Sequence, residues 1–188
     1  MSHIGWAVTG SFCTFDNILP VITQLVESGH KVTPILSESV RECDTRFGKA
    51  SVFRAAIEQV CGCKAIDSLI TAEPVGPRKI FEVVVVAPCT GNTLAKLANG
   101  ISDGTVTLAC KAHLRNLRPL VIAVSTNDAL AGNAANLGKL VARRNVYFVP
   151  LAQDDATAKP CSCVADFAAI PATICAASRG EQMQPLLF

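Results

Sequence analysis

The run Val83-Val84-Val85-Val86, closed by Ala87-Pro88, constrains the fold more than any other stretch of the chain. Successive β-branched residues favour an extended strand, and a strand apolar on both sides must be covered on both sides. The sequence then turns small and polar through Cys89-Thr90-Gly91-Asn92-Thr93 and continues as a helix from Asn92 to a stop at Gly100. Strand, polar turn and helix form the repeating unit of a parallel α/β sheet.

The same grammar recurs along the chain. Ile4 to Thr9 reads as a strand ending in Thr9-Gly10-Ser11. A helix follows, capped by Asp16 or Asn17, with Pro20 in its first turn, an apolar stripe of Ile18, Ile22, Leu25 and Val26, and a stop at Gly29. Val32 to Leu36 is a second strand, and the crossover between the two should be right-handed. Helical spacing returns at Val52, Phe53, Ala56, Ile57 and Val60, and Lys64 to Ile70 is a weaker strand. The two prolines and glycine of residues 72–79 mark a loop. Beyond Pro88 the pattern predicts helices over 104–116 and 133–145, strands at 119–125 and 146–150, and a C-terminal helix within 166–180. Six strands alternating with helices, and no repeat or linker, predict one domain over residues 1–188: a Rossmann-like, doubly wound, six-stranded parallel sheet with helices on both faces.

Composition narrows the function. Half of the 188 residues are hydrophobic, only 17% are charged and the net charge is +2. The scattered lysines and arginines make neither a nucleic-acid footprint nor a polybasic membrane patch. No apolar run reaches a membrane span and no signal peptide is visible, so a cytoplasmic protein is expected. The nine cysteines are odd in number. Cys61/Cys63 and Cys161/Cys163 form two Cys-x-Cys pairs, which lack knuckle spacing and a neighbouring histidine; they read as free thiols, with no metal site expected.

Ligands of open parallel sheets bind outside the carboxyl ends of the strands. Three such ends carry small polar residues: Thr9-Gly10-Ser11, Pro88 to Thr93, and Ser125-Thr126-Asn127, with Ser37 closing the second strand. Gly10 brings the backbone close, Ser11 adds a hydroxyl, and a helix amino end follows; together they suit a phosphate or form a plain turn. Neither a Gly-x-Gly-x-x-Gly pattern nor a Walker lysine is present. Thr90, Asn92 and Thr93 offer hydroxyls and an amide to a planar polar ligand, and Gly91 permits close backbone approach. Asn92 or Thr93 serves equally well as a helix cap.

Pro88, Thr90, Asn92, Thr93, Lys96, Gly100 and Asp103 match, in order, the flavin-binding segment of the homo-oligomeric flavin-containing cysteine decarboxylases, which the chain resembles. Thr9 to Phe12 is similar to that family's first phosphate loop. Residues 124–150 resemble its Pro-Ala-Met-Asn segment, with Asn127 in place and Ser125-Thr126 substituted. The segments "AVTGSFCTF", "VTPILSESV", "DTRFGKA", "AEPVGPRK", "APCTGNTLAKLANGISD", "LRNLRPLVIAVSTNDAL", "NVYFVPLAQDDATAKP" and "QMQPLLF" resemble, more fully, the family of B subunits of dipicolinate synthases from spore-forming bacteria.

These resemblances imply a subunit supporting NADP-dependent oxidation of dihydrodipicolinate to dipicolinic acid in the mother cell. NADP would lie on a partner A subunit, FMN is a possible cofactor here, and a homo-oligomer is implied. The implied cofactor-binding residues are Thr9, Gly10, Ser11, Ser37, Pro88, Thr90, Gly91, Asn92, Thr93, Ser125, Thr126 and Asn127. A dicarboxylate substrate favours cations, for which Arg46, Lys49 and Lys96 are candidates; Lys96 alternatively pairs with Asp103. None of His3, His30 and His113 falls in a strand-end loop, which argues against decarboxylation, and no catalytic base is assigned. A stand-alone FMN enzyme of the decarboxylase type and a non-catalytic scaffold with a vestigial pocket are the competing readings. Cys89 reads as a buried thiol filler.

Overall fold

The computed structural model describes residues 1–188. Strands β1 (His3–Val8), β2 (Lys31–Leu36), β3 (Val83–Cys89), β4 (Leu120–Thr126) and β5 (Val146–Phe148) run parallel in the order β2-β1-β3-β4-β5. All seven residues of β3 are buried, as its unbroken apolar run requires. The sheet has seven strands, however, and is mixed. The last residues of β4, Ser125 and Thr126, pair antiparallel with β7 (Cys163–Ala165), which pairs with β6 (Leu151–Ala152). This ribbon of two- and three-residue strands is too short to carry a period in the sequence.

Helices α1 (Phe15–Glu27), α3 (Ala50–Cys61) and α8 (Ile170–Ser178) cover one face. Helices α4 (Leu69–Ala72), α5 (Gly91–Ala98), α6 (Thr105–Leu114) and α7 (Ala134–Val141) cover the other; α2 (Glu38–Glu42) is a short turn after β2. One cluster of 47 buried residues fills both layers, with Trp6, Phe81 and Phe148 among its largest members. Gly5 lies in β1 because a Cβ there would stand 2.8 Å from the Phe81 ring.

Three local expectations are corrected. The weak strand over residues 64–70 reduces to one bridge, Ile66 to Ile35. Ser68 takes the chain into α4 instead: its hydroxyl accepts the Thr71 N–H at 3.2 Å while the Thr71 hydroxyl accepts the Ser68 N–H at 3.1 Å. Helix α1 starts at Phe15 after a tight turn over Phe12–Thr14, so Thr14 and neither Asp16 nor Asn17 occupies the cap position. Pro20 consequently lies beyond the first turn, on the exposed side where the missing N–H costs least. Strand β3 continues through Pro88 to Cys89, with a shift of register against β4 between Val86 and Cys89.

Helix α6 forms despite its Thr105-Val106-Thr107 start. The Thr107 hydroxyl accepts the Gly104 N–H at 3.1 Å, and the Glu38 carboxylate accepts the Thr105 N–H at 2.8 Å. Burial raises the Glu38 carboxyl's pKa, but the bonds it accepts from the Thr105 N–H and hydroxyl and from its own backbone N–H, with the Arg41 charge, outweigh burial and leave the pKa below its ordinary value. At the other end of α6, His113 is 1% exposed and donates through Nε2 to the Pro119 carbonyl at 2.9 Å. Burial is the main cause that pushes its pKa down from 6.5 to about 4. The folded chain therefore refuses a proton that the unfolded chain accepts. His113 contributes its full share of stability above pH 6.5 and loses it as pH falls to about 4, a swing of about 3 kcal/mol at most. His113→Gln should flatten that limb, read as a smaller drop in the urea midpoint between pH 7 and pH 4 than the parent shows.

Candidate functional site

The strand order reverses between β1 and β3, because α1 leaves β1 on one face and α5 leaves β3 on the other. A crevice must open where the two connections diverge. Thr9, 1% exposed, spans this switch point. Its hydroxyl donates to the Pro88 carbonyl at 2.7 Å and accepts the Thr90 N–H at 3.0 Å. Thr9 and Pro88 therefore hold the two strand ends together through these groups, a role that sequence alone does not distinguish from ligand contact.

The other loops converge on this point. Ser11 Oγ lies 2.7 Å from Ser125 Oγ, tying the first loop to the end of β4. Thr90 is the cap of α5: its hydroxyl accepts the Thr93 N–H at 3.3 Å and donates to the Thr93 hydroxyl at 3.1 Å. Capping falls to Thr90, so the Asn92 side chain is left exposed and unbonded within the chain, as is that of Asn127. The Gly91 and Asn92 N–H groups stand in the first turn and have no intrahelical acceptor. Gly91 is needed for a different close approach from the one expected. A Cβ there would meet Thr126 Oγ1 and Asn133 Nδ2 at 2.6 Å and Asp128 Oδ1 at 2.7 Å. Its small size makes room for the chain's own β4 loop.

Two adjoining hollows make up the crevice, of about 770 and about 540 Å³. Both are lined by Gly10, Phe12, Thr90 and Asn92. The larger also takes in Ser11, Arg46, Ser125, Thr126, Asn127, Asp128, Asp154, Lys159 and Ser162; the smaller takes in Ser37, Glu38, Ser39, Thr93, Lys96 and Asp103. Ser37 lies 3.1 Å from Ser39, hydroxyl to hydroxyl, at the start of α2.

The three candidate cations separate. Arg46 reaches the larger hollow, exposed, with its guanidinium 4.8 Å over the Phe47 ring. Lys96 pairs with Asp103 at 2.9 Å, so the structural alternative describes its contact. Lys49 does not reach the crevice; it lines an apolar groove with Phe15, Leu19 and Phe53.

Asp128, Asp154, Lys159 and Ser162 join the crevice without a sequence expectation behind them. Asp128 accepts from Thr126 at 2.5 Å and from Asn133 at 2.7 Å. The Asp-x-x-x-x-Asn spacing is its only sequence signal. Asp154 pairs with Lys159 at 3.1 Å, and the Ser162 hydroxyl followed by Lys159 holds its pKa below the ordinary range. Asp128 lies in the loop after β4, and Asp154, Lys159 and Ser162 lie in the loop joining β6 to β7, which is why reading regular elements passes over them.

No histidine lines the crevice. His3 bonds Thr33 Oγ1 at 2.9 Å near the start of β2. Cys89 is fully buried, and burial drives its thiol pKa far up, with Cys110 adding to the shift. Cys63 donates toward the Val32 carbonyl at the start of β2, whereas Cys163 pairs with Thr126 at the end of β4. The two Cys-x-Cys pairs thus sit at opposite edges of the sheet.

The lining fits the polar parts of a nucleotide such as FMN. It provides hydroxyls of Ser11 and Ser125, a free amide at Asn92, open N–H groups at a helix start, and a hollow of nucleotide size. The Thr9 bridge holds these groups in place. Thr9→Val, which keeps the shape but removes both bonds, should cost about 1–3 kcal/mol by stranding a buried carbonyl and N–H. Thermal unfolding should show this loss, with Thr9→Ser recovering most of it.

The family model for Flavoprotein matches residues 1–175. The dipicolinate synthase B subunit of Bacillus subtilis (strain 168) is 44% identical over 185 residues, covering 98% of this chain and 92% of that protein. The crystal structure of the dipicolinate synthase B subunit from Bacillus halodurans superposes with a TM-score of 0.92 at 44% identity, over 100% of this chain and 96% of that one. The FMN-dependent cysteine decarboxylase SpaF shares the fold, with a TM-score of 0.69 at 22% identity over 94% and 97% of the two chains.

Proposed function

The chain belongs to the flavoprotein family and is a homologue of the dipicolinate synthase B subunit, and from that premise we propose that it is the B subunit of a two-subunit enzyme oxidising dihydrodipicolinate to dipicolinic acid in a sporulating mother cell. The observation that carries this reading is the 44% identity sustained over 98% of the chain, together with an open crevice at the switch point. The whole of residues 1–188 acts as one flavoprotein-like domain. Exposed Phe47 and Val52 beside the crevice favour a homo-oligomer that covers them.

Aromatisation removes a hydride and a proton from the ring. The hydride goes to NADP on the A subunit. No histidine reaches the crevice, and its carboxylates are each already held, Asp128 by Thr126 and Asn133, Asp154 by Lys159, Glu38 by Thr105 and Asp103 by Lys96, so the proton acceptor is assigned to the partner as well. This chain orients the ligand. Gly10, Ser11, Ser125 and Asn92 hold a flavin nucleotide by its polar parts, and Arg46 takes a substrate carboxylate. A bound flavin would supply hydride or electron transfer; these side chains supply binding and alignment only. The absent histidine weighs against a stand-alone decarboxylase.

Titrating the purified chain with FMN, followed by flavin fluorescence, tests the cofactor reading. Saturable binding weakened about tenfold by Asn92→Ala or Ser11→Ala supports it; no saturation sinks it. With the A subunit present, Arg46→Ala should raise KM for dihydrodipicolinate at least about tenfold with a smaller change in kcat. Unchanged kinetics would remove Arg46 from the substrate site.

A further inference from the structure

Hydrogen bonds around Asp128 share one direction. Thr126 Oγ1 donates to Asp128 Oδ1 at 2.5 Å, and Asn133 Nδ2 donates to Asp128 Oδ2 at 2.7 Å. Asn136 Nδ2 donates to Asn133 Oδ1 at 2.9 Å, and Asn99 Nδ2 to Asn136 Oδ1 at 3.2 Å. Lys139 Nζ closes the series on Asn99 Oδ1 at 3.0 Å. An ammonium only donates and an ionised carboxylate only accepts, so the two ends fix which way each amide points. Asn133, 7% exposed, is the buried link that cannot turn over without placing an acceptor against the carboxylate.

The consequence falls on Thr126, which lines the larger hollow. A hydroxyl has one proton, and this one is spent on Asp128. What remains for a ligand is a pair of acceptor sites. Gly91 lets the carboxylate sit on the first turn of α5, where the positive end of the helix favours it. At Thr126 and Asp128 the β4 rim of the crevice is therefore acceptor-rich and negative, with the uncommitted Asn127 amide beside it. A phosphate or carboxylate is disfavoured there, and the anionic end of a ligand belongs toward Gly10 and Ser11.

We infer that Asp128 locks Thr126 as a hydrogen-bond acceptor, and that this rim selects a ligand with a fixed N–H donor, which for a flavin nucleotide is the imide N–H of the ring. The inference rests on the flavin reading of the crevice. An oxidised flavin ring carries that one N–H among several acceptors. The ribityl hydroxyls turn either way and are not selected by an acceptor. Asp128 is a positioning residue, acting through Thr126, and Thr126 determines specificity. Asp128→Asn would reverse the rim: its side-chain oxygen would accept from Asn133 and its amide would face Thr126, releasing the hydroxyl proton toward the ligand.

The test compares FMN with FMN methylated at the imide nitrogen on the parent chain and on Thr126→Ser, Thr126→Val and Asp128→Asn, with thermal midpoints recorded alongside. The parent and Thr126→Ser should prefer FMN by at least about tenfold. In Thr126→Val and Asp128→Asn that preference should fall about tenfold, even where the thermal midpoint is unchanged. A residue that only supported the fold would weaken both ligands together and leave the ratio alone. FMN bound without discrimination, or discrimination untouched by both substitutions, overturns the inference while sparing the flavin reading. Failure of the parent to bind either flavin overturns both.

Discussion

The Thr9 hydroxyl is the interaction on which the rest of the crevice depends. Parallel strands β1 and β3 must part at their carboxyl ends, because their helices leave on opposite faces. Parting strands lose ladder partners, and buried carbonyls and amides cannot be left unmatched. Thr9 supplies both missing partners from one atom, donating to Pro88 and accepting from Thr90. Its contact with Thr90 fixes the residue whose own hydroxyl caps α5. The position of the α5 first turn, and of Gly91 and Asn92 on it, follows from a side chain on the neighbouring strand.

From there the arrangement propagates by exclusion. Gly91 has no Cβ, so the β4 loop packs directly on α5, and Asp128 faces the helix start. Asp128 in turn orients Thr126 and Asn133. Of the groups at the crevice, Asn92 and Asn127 remain uncommitted because the structural bonds are made by their neighbours. Residues holding the frame and residues open to a ligand therefore alternate along the same short loops.

That alternation explains which parts were legible in the sequence. The five parallel strands and their flanking helices were readable because burial on both faces writes long apolar runs, most plainly at Val83 to Val86. The convergence of the loops after β1, β3 and β4 followed from topology alone. The pairing of Lys96 with Asp103 was visible as one of two alternatives. Long-range partners were not legible. Nothing local says that Thr9 faces Pro88, that Gly91 faces Asp128, or that Lys49 turns into a separate groove. The residues 64–70 misled because a single bridge at Ile66 is all that β-pairing retains before the Ser68–Thr71 cap takes over.

The lining also bears on why such a chain would act with another. Of the residues around the larger hollow, only Phe12, Cys13, Phe47 and Val164 are apolar, and Phe47 is 54% exposed. Hydroxyls, amides and carboxylates orient a ligand, but a planar ring gains most of its affinity from covering its faces. The crevice has the directional half of a binding site and little of the covering half. Arg46, stacked on Phe47 in an exposed loop, is placed where a second surface would meet it. Closing that surface over the loop would bury the Phe47 ring and strengthen the attraction between the Arg46 guanidinium and an anionic ligand by lowering the dielectric between them. Under the proposed function, a chain built this way would gain both substrate grip and ring coverage from the same contact, which is the physical case for proposing a site completed by a neighbouring protein.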